Sequence, residues 1–382
     1  MIESAERIEQ VGEYYFSGKL SSIREMISRG VDVINLGIGS PDTFPPREVV
    51  ETLVSQSASE GAHGYQPYRG IAELRMAIAG WYKNHFGFEP NPESEVLPLI
   101  GSKEGIMHIS MAYLNNGDSV LVPDTGYPAY ATAAMICGAR CMQYDLNEHN
   151  NWLPDFKELE KQNLDNVKIM WVNYPNMPSG INATSGLFKE LARFGQRHNI
   201  LVINDNPYSF ILNNRPLSIL SYDESLENVL ELNSLSKSHS MAGWRLGMVI
   251  GHEEHINNIL KVKSNMDSGM FLPIQKAAIQ ALQIGKEWYD DLNNIYSNRQ
   301  KMVYELLDSL GCLTRPGQTG MFLWSKIPDG FTDSYQFSDY CLDRYHLFIT
   351  PGLVFGSNGK YYIRTSLCVK EERIKKAIKR VK

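Results

Sequence analysis

The sequence predicts an α/β fold in which a mostly parallel central sheet is sandwiched between helices, with a smaller α+β domain beside it. Short β-branched, apolar runs recur through the middle of the chain, at residues 96–100, 119–123, 167–172, 200–203, 229–232 and 246–250. Helical patterns lie between most of them, at residues 105–114, 130–137 and 185–198. Alternating strands and helices are typical of a parallel sheet, and continuous apolar runs fit strands that are buried on both faces.

The pattern changes after about residue 275, where an α+β unit begins. A long helical pattern is followed by alternating strand and helix candidates, at residues 274–310, 321–327, 334–345, 347–349 and 361–366, and by a basic terminal helix. The first forty residues carry a helix and a short strand at 33–36. We therefore expect a large α/β domain over residues 41–277 and a small domain assembled from residues 1–40 and 278–382.

Composition excludes several functional classes. The 382 residues carry 37 Lys and Arg against 43 Asp and Glu, a net charge of −6, so we expect neither nucleic acid nor a membrane as a partner. Neither a transmembrane run nor the apolar core of a signal peptide is predicted. The five cysteines are scattered and contain no C-x-x-C pair, which favours the reducing cytoplasm over a disulfide scaffold.

Two short patterns look like binding motifs but have the wrong spacing. His252 and His255 are three residues apart, whereas the zinc-binding H-E-x-x-H helix needs four, so no metal is expected. Gly37 and Gly39 follow a predicted strand, but Asp42 stands where the dinucleotide-binding G-x-G-x-x-G motif needs its third glycine. A nicotinamide dehydrogenase is therefore a poor interpretation.

Polar residues that directly follow the strand runs are the first candidates for function, because ligands of open α/β sheets bind beyond the carboxyl ends of the strands. Asp205 ends one apolar run and Tyr208 follows three residues later. An Asp at this place either serves a site or begins a turn. Lys237 leaves another run amid serines. It is either a desolvated nucleophile or a surface lysine with a buried stem.

Two further segments suggest anion binding. Ser102 and Lys103 lie between a strand and a helix, where free N–H groups and the helix dipole favour a phosphate, although the P-loop pattern is absent. Arg364 offers a planar fork that suits a carboxylate, or else forms a surface ion pair. A phosphate cradle, an acid, a lysine nucleophile and a carboxylate-binding arginine are together what pyridoxal phosphate and an amino acid require.

With these residues identified, the sequence resembles the class I and II aminotransferases of fold type I, the aspartate aminotransferase superfamily. The likeness covers residues 30–370 in ordered motifs: INLGIGSPD, GYQPYRGIAELR, LIGSKEGI, VPDTGYPAY, NYPNMPSG, NDNPYS, SLSKSHSMAGWRLG and YIRTSLC. Within that family it looks most like the branch of LL-diaminopimelate and alanine/aspartate-type enzymes. The resemblance implies ping-pong transfer of an amino group from an L-amino acid to a 2-oxo acid, with pyridoxal 5′-phosphate as cofactor.

The resemblance also implies roles for individual residues. Lys237 would form a Schiff base with the cofactor and move the proton of the substrate Cα, Asp205 would pair with the pyridine nitrogen, and Tyr208 would bond the phenolic oxygen. Arg364 and the backbone of Gly39 would hold the substrate carboxylate. The other implied cofactor contacts are Tyr127 on the ring face, Ser102, Lys103, Ser234 and Arg245 on the phosphate, and Tyr65 from the neighbouring subunit. Tyr65 therefore implies a homodimer with shared active sites.

One position departs from the family pattern. The family reads N-P-[ST]-G, and its Asn also contacts the phenolic oxygen, but Met177 stands there in this chain. A thioether is a poor hydrogen-bond partner. Either Asn173 or Asn176 supplies the contact after a local shift, which we favour, or Tyr208 carries it alone.

Two rival functions share these motifs. A lyase on the same scaffold, catalysing β-elimination or a related reaction, would use Lys237, Asp205 and Arg364 in the same way. A non-enzymatic pyridoxal-phosphate sensor fused to a DNA-binding module is disfavoured by the acidic charge and by the lack of room for another domain before residue 30.

Overall fold

The computed structural model describes residues 2–9, 12, 15–223 and 225–382. Its strands are β1 (Ile34–Asn35), β2 (Val96–Leu99), β3 (Ser119–Asp124), β4 (Arg140–Asp145), β5 (Val167–Val172), β6 (Leu201–Asp205), β7 (Val229–Ser234), β8 (Gly247–Gly251), β9 (Leu313–Thr314), β10 (Phe322–Lys326), β11 (Leu347–Phe348), β12 (Thr350–Pro351) and β13 (Tyr362–Ser366). Its α-helices are α1 (Glu6–Glu9), α2 (Tyr15–Ser28), α3 (Arg47–Ser57), α4 (Ala72–Phe86), α5 (Ser102–Tyr113), α6 (Ala129–Ile136), α7 (Phe156–Leu159), α8 (Ser185–His198), α9 (Leu235–Ser238), α10 (Glu253–Lys263), α11 (Leu272–Leu282), α12 (Lys286–Ser309), α13 (Ser334–Tyr345) and α14 (Glu371–Val381).

The central sheet is mostly parallel. Within the described residues it has seven strands in the order β2-β8-β7-β6-β5-β3-β4. Strands β4, β3, β5, β6 and β7 run parallel to one another, and β8 is antiparallel to both β7 and β2. The carboxyl ends of β5, β6 and β7 therefore meet at one edge of the sheet. This confirms the predicted α/β class.

Both faces of the sheet are buried, as the continuous apolar runs require. In β5, Ile169 and Trp171 belong to one hydrophobic cluster, which also contains side chains of α5, α6 and α10. Met170 and Val172 point to the other face and join the cluster that contains α4 and α8. Alternation along the strand sends successive side chains to opposite faces, so an apolar run is needed wherever helices cover both sides.

The C-terminal part of the chain forms a second sheet. In the described ranges it has four antiparallel strands in the order β12-β13-β10-β9. β1 pairs in parallel with β11, so the first forty residues contact this C-terminal part. The division into a domain over residues 41–277 and another over 1–40 and 278–382 stays a prediction.

Two local expectations were incomplete or wrong. The pattern at 274–310 predicts one helix, but the chain forms α11 and α12, separated at Gln283 and Ile284 with Gly285 as the N-cap of α12. The edge strand β4 was not predicted, because its sequence mixes polar and apolar residues without a clear pattern and one of its six residues is buried. No helix in the described ranges combines the length and hydropathy that crossing a membrane requires.

Candidate active site

A cavity of about 460 Å³ opens at the carboxyl ends of β5, β6 and β7. Most of the residues that the sequence singled out line it: Gly39, Ser102, Lys103, Tyr127, Asn173, Asp205, Tyr208, Ser234, Lys237, Arg245 and Arg364. Two singled-out residues do not: Asn176 is buried beside the cavity, and Tyr65 lies on the surface with 92% of its side chain exposed. The fold thus gathers residues from positions 39 to 364 at one place.

Lys237 lies on α9, one turn after β7. Its Nζ donates a hydrogen bond to the carbonyl oxygen of Gly39 at 2.6 Å. Burial lowers the pKa of the Lys237 ammonium from its ordinary value, and the positive charges of Arg364 and Arg245 act in the same direction. An amine whose pKa is lowered in this way is more often neutral, and a neutral amine acts as a nucleophile or as a base.

Asp205 is the last residue of β6 and is buried at the cavity. Tyr130 donates its hydroxyl hydrogen to Oδ2 at 2.9 Å. Oδ1 is buried without a hydrogen-bond partner among the described residues. Burial raises the pKa of Asp205 to about 6, while the Tyr130 hydrogen bond opposes that rise. A buried acceptor without a partner costs stability unless a ligand supplies a donor, so Oδ1 marks a binding position for a group that donates a hydrogen bond.

Tyr130 is a site residue that the sequence analysis missed. Its ring stacks on Trp171 with a centroid distance of 4.9 Å and an interplanar angle of 3°. It lies three residues after Tyr127 in the VPDTGYPAY motif, near the start of α6. Tyr127 lies just before α6, and its ring contacts that of Tyr130 edge-on with a centroid distance of 5.6 Å, so the shared motif was the available signal.

Positive groups and a helix terminus meet at the other end of the cavity. Ser102 and Lys103 are the first two residues of α5, and the turn before the helix is closed by a hydrogen bond from the Ile100 N–H to Glu104 Oε1 at 2.6 Å. The guanidinium of Arg245 packs against Gly101 in this turn, and the φ of 81° at that position favours glycine. The first N–H groups of α5 and these cations favour a phosphate.

Arg364 lies on β13, on the opposite wall. Nη2 donates to the carbonyl oxygen of Gly37 at 2.8 Å, and Nη1 contacts the sulfur of Met177 at 3.1 Å. The guanidinium lies over the rings of Phe322 and Phe355, with Cζ 4.0 Å and 4.7 Å from their centroids. These contacts fix the planar fork at the cavity, where it can bind a carboxylate through two parallel hydrogen bonds.

The segment with Gly37 and Gly39 is held by residues from the C-terminal half. Arg299 on α12 forms two hydrogen bonds with the carboxylate of Asp42, at 2.6 Å and 3.1 Å. Thr350 donates to the Gly37 carbonyl oxygen at 2.9 Å. Gly39 packs against the ring of Phe322 so tightly that a Cβ would collide with it.

The two asparagines considered as substitutes for the family Asn make different contacts. The Asn173 side chain donates to the carbonyl oxygen of Asp205 at 2.5 Å and accepts from the Met177 N–H at 2.7 Å. The Asn176 amide oxygen accepts from the N–H and the hydroxyl of Ser179. Asn173 therefore faces the cavity together with Met177, while Asn176 stabilises its own turn. Which donor reaches a bound cofactor stays a prediction.

The histidine pair at residues 252 and 255 has structural roles. His252 caps α10 by accepting from the Glu254 N–H, and His255 contacts Tyr113 and the Glu227 carbonyl oxygen. A separate group of side chains, Glu104, His108 and Asp267, has potential ligand atoms within 4.8 Å of one another. The ammonium of buried Lys263 already pairs with Asp267, which opposes a metal cation there.

Comparison with known proteins agrees with this geometry. The family model described as aminotransferase class I and II matches residues 31–381. The LL-diaminopimelate aminotransferase of Halothermothrix orenii is 37% identical over 100% of this chain and 98% of its own length, and that of Dehalococcoides mccartyi is 39% identical over 98% and 97%. The substrate-bound structure of BacF from Bacillus subtilis superposes with a TM-score of 0.96 at 34% identity, covering 100% of this chain and 97% of that one. The chain therefore belongs to the class I and II aminotransferases, pyridoxal-phosphate-dependent enzymes that transfer an amino group from an amino acid to a 2-oxo acid.

Proposed function

We propose that the cavity is the aminotransferase active site and that the residues singled out above act in it. The carrying observation is that the buried Asp205 Oδ1, without a partner among the described residues, and the Lys237 amine line the same cavity. This arrangement fits pyridoxal phosphate, because a protonated pyridine nitrogen supplies the donor that Oδ1 needs. The cofactor supplies the electron sink for the reaction.

Lys237 is the proposed nucleophile and base. Its lowered pKa increases the neutral fraction of the amine, so it can attach the cofactor and afterwards accept the proton of the substrate Cα. In the substrate-free site the Gly39 carbonyl oxygen accepts a hydrogen bond from Nζ and holds the side chain in place. The proton therefore moves between the substrate and Lys237 Nζ.

The remaining proposed roles divide along the cavity. Asp205 keeps the ring nitrogen protonated, Tyr208 donates to the phenolic oxygen, Tyr127 covers the ring face, and Asn173 supports the wall beside them. Ser102, Lys103, Ser234 and Arg245 hold the phosphate, and Arg364 with the backbone of Gly39 binds the substrate carboxylate. Asn176 supports the turn that positions Asn173 and Met177.

Reduction of the loaded enzyme with borohydride tests the central assignment. The treatment converts a cofactor–lysine linkage into a stable amine, and peptide mass spectrometry then locates it. We expect the modification on Lys237, and Lys237→Ala should lose it. Attachment to another lysine would remove the basis of the proposal. Lys263, which is buried and paired with Asp267, serves as an internal control that should remain unmodified.

The proposed assembly is a homodimer with shared active sites. Tyr65, Met266 and Phe271 expose 92%, 55% and 40% of their surface, and they lie on adjoining segments joined by the ring contact of His63 with Phe271. Clustered exposed apolar side chains are typical of an interface. If Tyr65 reaches the neighbouring site, mixed Lys237→Ala and Tyr65→Ala subunits should show more activity than the two variants measured separately.

The proposed location is the cytoplasm. The support is that the five cysteines, all within the described residues, carry free thiols, as a reducing compartment allows. Fractionation of cells that express the protein at native level tests this assignment.

The relatives' names make LL-diaminopimelate a candidate amino donor. A lyase reaction would release ammonia and a 2-oxo acid and would need no second 2-oxo acid. Amino transfer requires that second substrate to accept the amino group. Measuring ammonia alongside 2-oxo acid production separates the two.

A further inference from the structure

The turn that carries Lys237 is too short to hold its own position. α9 has four residues, Leu235–Ser238, and its N-cap residue Ser234 makes no side-chain capping hydrogen bond. An isolated helix of one turn is unstable, because fixing its backbone costs more entropy than its few hydrogen bonds offset. The place of the Lys237 amine therefore depends on contacts that other elements make with α9.

The first turn of α12 makes such contacts with the end of α9. Trp288 is half-buried, and its indole N–H donates to the carbonyl oxygen of Ser238 at 2.8 Å. The hydroxyl oxygen of buried Tyr289 lies 3.2 Å from Nε2 of His239, the residue that follows α9. The same hydroxyl accepts the indole N–H of Trp81 at 3.1 Å. Two neighbouring side chains of one helix therefore hold the end of α9.

The imidazole of His239 suits this place because it stays neutral. Burial lowers the pKa of His239 to about 3. A neutral ring has one donor and one acceptor nitrogen, and Nδ1 lies 2.9 Å from Oγ of Ser238. Because the hydroxyls of Ser238 and Tyr289 can each donate or accept, either tautomer keeps both contacts. The anchor therefore carries no charge that burial would penalise.

The same helix holds the hydrogen-bond acceptor of Lys237. Nζ of Lys237 donates to the Gly39 carbonyl oxygen at 2.6 Å. Arg299 of α12 clamps Asp42, which lies three residues further along the Gly39 segment. Trp288 and Arg299 are about three helical turns apart, so they lie on the same face of α12. Both partners of the Lys237 hydrogen bond are thus tied to one helix.

We propose that Trp288 and Tyr289 are positioning residues for the reaction, which fix α9 so that Lys237 Nζ reaches both the cofactor and the substrate Cα. The inference rests on the proposed function, because it takes Lys237 as the nucleophile and base. Neither side chain is among the described residues that line the cavity, so each acts through α9 and not by touching a ligand. A displacement of about 1 Å at a reacting group costs about 100-fold in rate, so a small shift of α9 is sufficient.

Cofactor binding in a double-mutant cycle tests this role without turnover. Trp288→Phe keeps an aromatic ring but removes the N–H donor, and it is combined with Lys237→Ala. Alone, Trp288→Phe should weaken pyridoxal phosphate about three- to tenfold, because linkage to a displaced lysine must first restore the place of α9, at a cost up to that of one hydrogen bond. In the Lys237→Ala background the same change should alter the affinity less than about twofold, because the residue through which it acts is absent. Equal weakening in both backgrounds, or no weakening in either, would overturn the inference.

Steady-state kinetics give a second measurement. Trp288→Phe and Tyr289→Phe should each lower kcat about 10- to 100-fold, with the KM for the amino donor changed less, because the lysine is displaced while the carboxylate site is intact. Tyr304→Phe is the matched control on the same helix. It removes a hydroxyl that bonds the Arg315 carbonyl oxygen at 3.3 Å, remote from α9, and should keep the native kcat. A raised KM with native kcat in the first two variants, or the same loss of kcat in the control, would contradict the positioning role.

Borohydride reduction and urea unfolding separate this inference from the proposed function and from a purely structural role. Linkage at Lys237, with native cofactor affinity and kcat in Trp288→Phe, leaves the active site standing and refutes the inference alone. A Trp288→Phe protein that unfolds at lower urea but binds and reacts as the native protein does has lost a structural contact only, which also refutes the inference. Linkage at another lysine in the native protein refutes the proposed function and this inference with it.

Discussion

Replacing Tyr130 with Phe should change how cofactor affinity depends on pH. In the native chain the Tyr130 hydroxyl bonds Asp205 Oδ2 at 2.9 Å, and the pKa of Asp205 is raised to about 6 by burial. A hydrogen bond to a charged group contributes about 1.5–3 kcal/mol, and about 1.36 kcal/mol corresponds to one pKa unit. Losing the bond should therefore raise the pKa of Asp205 to about 7–8.

The sign follows from which form of Asp205 binds the cofactor. A protonated ring nitrogen needs the ionised carboxylate, so affinity falls as the pH drops below the pKa of Asp205. At pH 7 the larger protonated fraction in Tyr130→Phe should weaken pyridoxal phosphate binding roughly 2- to 10-fold. At pH 9 this protonation contribution should vanish, because Asp205 is ionised in both proteins.

Equilibrium dialysis of pyridoxal phosphate between pH 5 and pH 9 measures this effect. Tyr144→Phe is the matched control, because the buried hydroxyl of Tyr144 also donates a hydrogen bond, but to the Trp171 carbonyl oxygen at 2.7 Å and not to Asp205. The control should keep the native pH profile. If Tyr130→Phe also kept that profile, the assignment of Tyr130 as the residue that keeps Asp205 ionised would be refuted.

Three further predictions concern other residues. Burial raises the pKa of Glu231 to about 6 from its ordinary 4.5. Its contribution to the free energy of unfolding is therefore greatest below pH 4.5 and falls by about 2 kcal/mol as the pH rises past 6. Urea unfolding should show that Glu231→Gln lacks this fall, and an unchanged pH dependence would contradict it. Arg299→Lys cannot reproduce the forked contact with Asp42, which holds the segment that contains Gly39. Steady-state kinetics should therefore show a KM for the amino donor that is raised about tenfold, or about 1.4 kcal/mol, with kcat changed less. A native KM would refute this positioning role. Lys237→Ala should retain pyridoxal phosphate weakly and lose turnover, and native turnover would refute its assignment.

The strands of the central sheet were the most predictable part of the fold. Each of the six apolar runs forms a strand, since burial on both faces imposes apolar residues along the whole run. The edge strand β4 has one neighbour, β3, and its partly exposed sequence mixes polar and apolar residues, so it carries a weaker signal. The break between α11 and α12 was missed because apolar residues continue at helical spacing across Gln283 and Ile284.

The sequence located the polar residues at the strand ends better than the contacts between them. Asp205 and Lys237 were found because they follow apolar runs. The bond between Tyr130 and Asp205, the clamp of Arg299 on Asp42 and the rings around Arg364 join residues distant in the chain. Local patterns carry no information about such partners, which depend on how strands and helices pack.

The most direct test of the account is the visible absorbance of the cofactor-loaded enzyme in two successive steps. Addition of a reactive amino donor alone, chosen from a panel that includes LL-diaminopimelate, should discharge the absorbance, because one half of the transfer leaves the amino group on the cofactor. Addition of a 2-oxo acid, after the donor is removed, should restore it. A protein that binds no pyridoxal phosphate, or whose absorbance no amino acid discharges, would contradict the account, and release of ammonia without any need for a 2-oxo acid would assign the site to a lyase.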